Sequence, residues 1–147
     1  TMGEYVPSLF GKGKMSKSIE GSYINLADDF ETIKKKLAKV PTDSGTTGGD
    51  VPKEGGVASL FTLLALFNQN DMHKKFKHDY MEGKIRYGEL KGYLSDAIYQ
   101  ELQPIQEKRK YFEEHPEIVD AILEKSRKKC LKFAEQTLHE VKEKMGI

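Results

Sequence analysis

Val57-Ala58-Ser59-Leu60-Phe61-Thr62-Leu63-Leu64-Ala65-Leu66-Phe67 is apolar nearly all the way round. A helix of that composition has no wet face, so it belongs at the centre of a packed structure or at an interface. Its unbroken apolar run, Leu63 to Phe67, is far too short to span a membrane. The flanking segments supply helices that can surround it. Upstream, Asp28 or Asp29 can cap a helix in which Phe30, Ile33 and Leu37 recur at helical spacing, and Pro41 stops it. Downstream, Asn70 or Asp71 can cap a helix carrying Met72, Phe76 and Tyr80 that ends at Gly83. Tyr87, Leu90, Leu94, Ile98 and Leu102 mark a fourth helix running on toward Phe112. Pro104 is expected to interrupt and kink it, because proline removes one hydrogen bond of the preceding turn. His115-Pro116 opens a last helix striped by Val119, Ile122, Leu123, Cys130, Phe133, Ala134, Leu138, Val141 and Met145, with charges of both signs opposite. Five helical segments with short connections predict an all-α bundle.

The remaining segments read as irregular. Residues 1–21 lack helical periodicity and look like the loop-rich tail of a preceding domain, Tyr23 to Leu26 suggests a short extended piece, and Thr42 to Gly56 is a glycine-rich loop. That loop lacks the GxxxxGK[ST] spacing of a phosphate cradle. Charge is balanced, with 24 basic and 23 acidic side chains for a formal net of +1, so any nucleic-acid binding has to come from a local patch. Lys34, Lys35, Lys36 and Lys39 form such a cluster, read first as a solvated helix face. The single cysteine, Cys130, excludes an intrachain disulfide, and its apolar helical position predicts core packing. His73, His78, His115 and His139 show no metal-ligand spacing. Neither a signal peptide nor a membrane span is evident, and a cytoplasmic location is expected.

Ahead of all the helices stands Lys14-Met15-Ser16-Lys17-Ser18, or KMSKS, bracketed by Gly11, Gly13 and Gly21. This string resembles the mobile nucleotide loop of the class I aminoacyl-tRNA synthetases. The flanks extend the resemblance: Val6-Pro7-Ser8-Leu9-Phe10-Gly11 before it; Tyr23 to Asp29, Ile33 to Leu37 and Thr42-Asp43-Ser44 after it; then Gly55 to Leu60, Tyr87 to Lys91, and Leu102 to Arg109. Together they cover about residues 5–147 and are similar to the tryptophanyl and tyrosyl subgroup, the bacterial tryptophanyl family more than the tyrosyl. Thr46 to Glu54 departs from the common pattern, where related chains often carry more charge.

The resemblance implies a function for the loop. A synthetase joins an amino-acid carboxylate to the α-phosphate of ATP, and negative charge builds on the departing pyrophosphate. Positioned cations that meet this charge stabilise the transition state more than bound ATP. Lys14 and Lys17 are the catalytic candidates, Lys17 first. Met15, Ser16 and Ser18 complete the ATP-binding set with them, the serines offering hydroxyl donors and leaving backbone N–H groups open to phosphate. The glycines would serve as hinges. Residues 1–21 would then close a Rossmann-type catalytic domain, and residues 22–147 would form a helical domain that recognises the tRNA anticodon. The implied cofactors are ATP and Mg²⁺. The implied partners are tRNA(Trp), tryptophan and a second subunit of a homodimer, with tryptophan and ATP engaged only alongside a catalytic half. No sequence of the HIGH type and no alternating strand–helix pattern accompanies the loop, so the chain reads as a C-terminal portion, inactive alone. The competing readings are the tyrosyl counterpart and a non-catalytic helical module, for which Val57 to Phe67 would be a partner site.

Overall fold

Asp29 starts the first helix as its sequence position predicts: its Oδ1 accepts a hydrogen bond from the Thr32 N–H at 2.8 Å. That bond holds the Asp29 carboxyl below its ordinary value. In this computed structural model, which describes residues 6–46, 48–67 and 71–147, five helices follow one another. They are α1 (Phe30–Ala38), α2 (Gly55–Leu66), α3 (Met72–Met81), α4 (Tyr87–Glu114) and α5 (Pro116–Met145). Among the described residues the extended structure amounts to one antiparallel bridge, Pro7 with Lys14. The all-α expectation therefore holds. The extended piece expected at Tyr23–Leu26 is absent, because Asn25 turns the chain. Its N–H donates to Asp28 Oδ2 at 2.7 Å, and its own Oδ1 accepts from the Ala27 N–H at 3.2 Å.

The chain divides into two compact units, residues 1–106 and 107–147. In the first, α2 is the centre. Val57, Leu60, Phe61, Leu63 and Leu64 are all buried there by the chain's own α1, α3 and α4 residues, Ile33, Leu37, Phe76, Leu90, Leu94 and Ile98 among them. The idea that Val57 to Phe67 is a partner site is thereby overturned, since its apolar surface is already covered. Phe61 meets Tyr80 of α3 edge to face, with ring centroids 5.8 Å apart. Of the two caps expected for α3, Asn70 lies outside the described residues. Asp71 stands at the N-cap with φ 56°, and its carboxylate pairs with Lys74 at 3.0 Å instead of capping the backbone.

Polar ties fix the helices to one another. The Lys91 ammonium donates to the carbonyls of Ala38 (3.0 Å) and Val40 (2.8 Å), satisfying the end of α1, and burial lowers its pKa. Gln106 Nε2 donates to Leu26 O and Asp28 O, both at 2.9 Å. Asp43, in the glycine-rich loop, accepts from the hydroxyls of Tyr80 (3.0 Å) and Tyr87 (2.8 Å) and from the Gly45 N–H (2.7 Å). Loop, α3 and α4 are pinned together by this one carboxylate.

Pro104 does not interrupt α4, which continues to Glu114. The buried stripe ends at Leu102, so the Gln100 carbonyl that loses its partner lies on exposed helix where water can replace the bond. In the second unit, the end of α4 leads through the stacked pair Tyr111 and His115 (4.5 Å) into α5, which closes on Gly146 at φ 74°. No residue of α5 is buried. Cys130, expected in a core, is exposed, as are Ile122, Leu123, Phe133, Leu138 and Val141 of the same stripe. Periodicity gives the stripe's direction along a helix; it does not provide the opposing surface.

Candidate functional site

The segment from Val6 to Ser22 is a tight hairpin laid on α2, held by its own backbone. Met15 N donates to Val6 O and Ser8 N to Gly13 O, both at 2.9 Å, and around them Pro7 bridges Lys14. Leu9 N donates to Ser22 O at 2.9 Å, which closes the base of the loop. Leu9 itself is fully buried in the core. Ser59, the polar residue of the apolar helix, donates its hydroxyl to Ser8 O at 2.8 Å across a buried contact, and so anchors the hairpin to the centre of the fold.

Within that hairpin the five KMSKS residues divide by role. Met15 turns inward and is half-buried against the core, beside an apolar cavity of about 220 Å³ that it lines with Ile24, Leu63 and Ile98. An unbranched thioether suits such an irregular gap. Ser16 works inside the loop: its carbonyl accepts from Ser22 Oγ at 2.8 Å, and its Oγ accepts from the Ser18 N–H at 3.3 Å. The expectation that the serines leave their backbone N–H groups open to phosphate is thus corrected at Ser18, whose N–H is engaged. Lys14, Lys17 and Ser18 are exposed, and neither lysine side chain has an ion-pair or hydrogen-bond partner among the described residues. Two uncommitted ammonium groups therefore stand exposed on a hydrogen-bonded backbone.

The bracketing glycines behave unequally. Gly11 (φ 76°) lies so close to Gly55 that a Cβ would stand 2.1 Å from the Gly55 carbonyl carbon, so it is a packing contact and not a hinge. Gly13 (φ 70°) has open space where a Cβ would stand, but its carbonyl accepts from the Ser8 N–H, so it too is held within the hairpin. Sequence reasoning missed the supports Leu9, Ser22 and Ser59. A lone serine facing inward on an all-apolar helix was a usable signal, because a buried hydroxyl has to find a partner.

Beside the loop, Lys34, Lys35 and Lys39 are exposed on α1 and its C-cap, as a solvated face predicts. Lys36 departs from that reading. It pairs with Asp28 at 2.5 Å and places its ammonium 4.8 Å from the Tyr23 ring centroid. Among the described residues no group of three His, Cys, Asp or Glu is placed to hold a metal ion. No helix of the described residues is long and apolar enough to cross a membrane.

Residues 1–103 match the family described as tRNA synthetases class I (W and Y). The chain is 35% identical over 142 residues to the tryptophan–tRNA ligase of Porphyromonas gingivalis, a match covering 97% of this chain and 43% of that protein. It is 34% identical to the ligase of Treponema pallidum, covering 93% and 41%. Among solved structures, tryptophanyl-tRNA synthetase from Campylobacter jejuni complexed with ADP and tryptophan superposes with a TM-score of 0.78 at 25% identity, over 98% of this chain and 44% of that one. The chain thus spans less than half the length of the relatives it matches.

Proposed function

This chain belongs to the class I tRNA synthetases of the W and Y kind, and from that premise we propose that it serves as the loop-bearing, tRNA-binding part of a tryptophan–tRNA ligase. The whole enzyme would activate tryptophan with ATP and pass it to tRNA(Trp), working as a homodimer in the cytoplasm. Residues 1–21 would complete its catalytic domain and residues 22–147 its tRNA-reading domain. The observation that carries this reading is the KMSKS hairpin, hydrogen-bonded along its backbone and bare in its two lysines.

Lys17 and Lys14 would hold the β- and γ-phosphates as the bond to the α-phosphate breaks, with the charge they meet growing toward the transition state. Lysine fits because its ammonium is a compact charge on a flexible stem, able to follow pyrophosphate outward. Ser16 would keep the loop's curvature through its two internal hydrogen bonds, and Met15 its seat on the core. Mg²⁺ accompanying ATP would supply charge neutralisation.

The test is a chimera in which this chain replaces the matching portion of the Porphyromonas gingivalis ligase. It should support tryptophan-dependent ATP–pyrophosphate exchange. Lys17→Ala should lower kcat by about 10²-fold or more while the KM for tryptophan stays near its starting value. An effect confined to the KM for tryptophan would count against the assigned role. The 147 residues alone should show no exchange, since the described residues hold no sheet to form the rest of a nucleotide site.

A further inference from the structure

Phe10, Glu20, Gly21, Tyr23, Lys36 and Lys39 line an open cleft of about 510 Å³, separate from the cavity that Met15 lines and within the size range of small-ligand sites. Its composition is specific. Phe10 is 39% exposed although it neighbours the fully buried Leu9, and its ring rests against Gly21, where a Cβ would approach the Phe10 ring to 3.1 Å. Gly21 also has φ 74°, so both sterics and backbone reserve that floor for glycine. Tyr23 forms a second wall. The Lys36 ammonium on its ring is committed to Asp28, whereas the Lys39 side chain is exposed and without a partner among the described residues. The nearby carbonyls of Ala38 and Val40, which would repel an anion, are occupied by Lys91.

An aromatic platform, a free cation and a rim carboxylate are the elements that recognise one nucleotide of a single strand. The ring stacks a base, the ammonium meets its phosphate, and the carboxylate accepts from an exocyclic amine or a ribose hydroxyl. We propose that this cleft binds one nucleotide of single-stranded RNA, its base stacked on Phe10 beside Tyr23 and its phosphate at Lys39. The inference rests on the reading of the chain as tRNA-binding, and it adds a site for an unpaired nucleotide next to the KMSKS loop. The two are physically joined, because Ser22, adjacent to Gly21, holds both Leu9 N and Ser16 O.

The chain contains no tryptophan, so a short RNA carrying one 2-aminopurine can be followed without indole background. Titration of that oligonucleotide with the full 147-residue chain should quench its fluorescence as the base stacks. Phe10→Leu, which keeps apolar contact with Gly21 but removes the ring, should weaken binding by about 5-fold to 150-fold. Lys39→Gln should weaken it and reduce the salt-dependence slope by about 0.7. Unchanged thermal melting of both variants by circular dichroism would show that folding is not the cause. The proposal is overturned by absent binding, by binding without quenching, by an undiminished affinity in a folded Phe10→Leu variant, or by displacement of the strand by equimolar ATP. An active, Lys17-dependent chimera alongside any of these results would remove the cleft and leave the proposed function standing.

Discussion

Gly11→Ala and Gly13→Ala separate packing from backbone freedom within one loop. Both glycines adopt left-handed backbone, at φ 76° and 70°, and an alanine there costs about 1–2 kcal/mol. At Gly13 that is the whole cost, since a Cβ would meet no atom within 4 Å. At Gly11 the new carbon would lie 2.1, 2.2 and 2.4 Å from the carbonyl carbon, Cα and oxygen of Gly55, far inside ordinary contact distance. Those atoms are backbone at the first residue of α2, so relief requires moving the hairpin or the helix start, a disturbance of the overpacking kind that costs about 1–3 kcal/mol more. The expected losses are therefore about 2–5 kcal/mol for Gly11→Ala and about 1–2 kcal/mol for Gly13→Ala. Urea denaturation followed at the helical circular-dichroism band reads both, and at a slope of about 1–3 kcal/mol/M the Gly11 variant should lose about 0.7–5 M in midpoint. Equal midpoints for the two variants, or a larger loss at Gly13, would refute the seating of the hairpin on α2.

Three further outcomes follow from separate contacts. At Asp43 burial alone would raise the carboxyl, but hydrogen bonds from Tyr87, the Gly45 N–H and Tyr80 together hold it below its ordinary 3.8, while burial and Asp43 push both tyrosines above 10.0. A raised folded-state pKa gives stability that is full below the unfolded value and lost as pH rises through the folded one, so stability should fall above about pH 10, and Tyr87→Phe should make that alkaline fall shallower in melting temperatures taken from pH 7 to 11. Ser59→Ala removes one of two donors to Ser8 O, which keeps the Gly11 N–H at 2.9 Å, and should cost about 0.5–1.5 kcal/mol by the same urea titration; an unchanged midpoint would show that the anchor is not needed. Cys130 is exposed, so a disulfide reagent should titrate one thiol in the native chain without denaturant, and a thiol that reacts only after unfolding would contradict its exposure on α5.

Helix existence was legible because the signals are local. Asp29 caps α1, Phe76 and Tyr80 lie one turn apart on α3, and Leu90, Leu94, Ile98 and Leu102 repeat at the helical period, and each of these is found where the pattern puts it. The interruption expected at Pro104 was misread because the cost of a proline depends on whether the freed carbonyl is wet, a property of the fold and not of the string. Cys130 was misread for the same reason: an apolar stripe specifies which side of α5 seeks cover and leaves open whether cover is present.

The functional loop shows the division most clearly. KMSKS could be read as five residues of one purpose, yet Lys14, Lys17 and Ser18 are exposed, while Met15 and Ser16 spend their side chains holding the loop in place. The supports come from far along the chain, Ser59 above all, at a separation no short motif spans. This arrangement explains how a loop of glycine, serine and lysine, with little apolar surface of its own, can have a defined backbone. Its order is borrowed from α2 through one buried hydroxyl, one leucine and one methionine. Under the proposed function, a loop built in that way would move its lysines toward phosphate by rotating their side chains, without dismantling its base. On that reading, the entropic cost of ordering the loop backbone would be met when the helical unit folds, leaving only the two lysine side chains for a nucleotide to order.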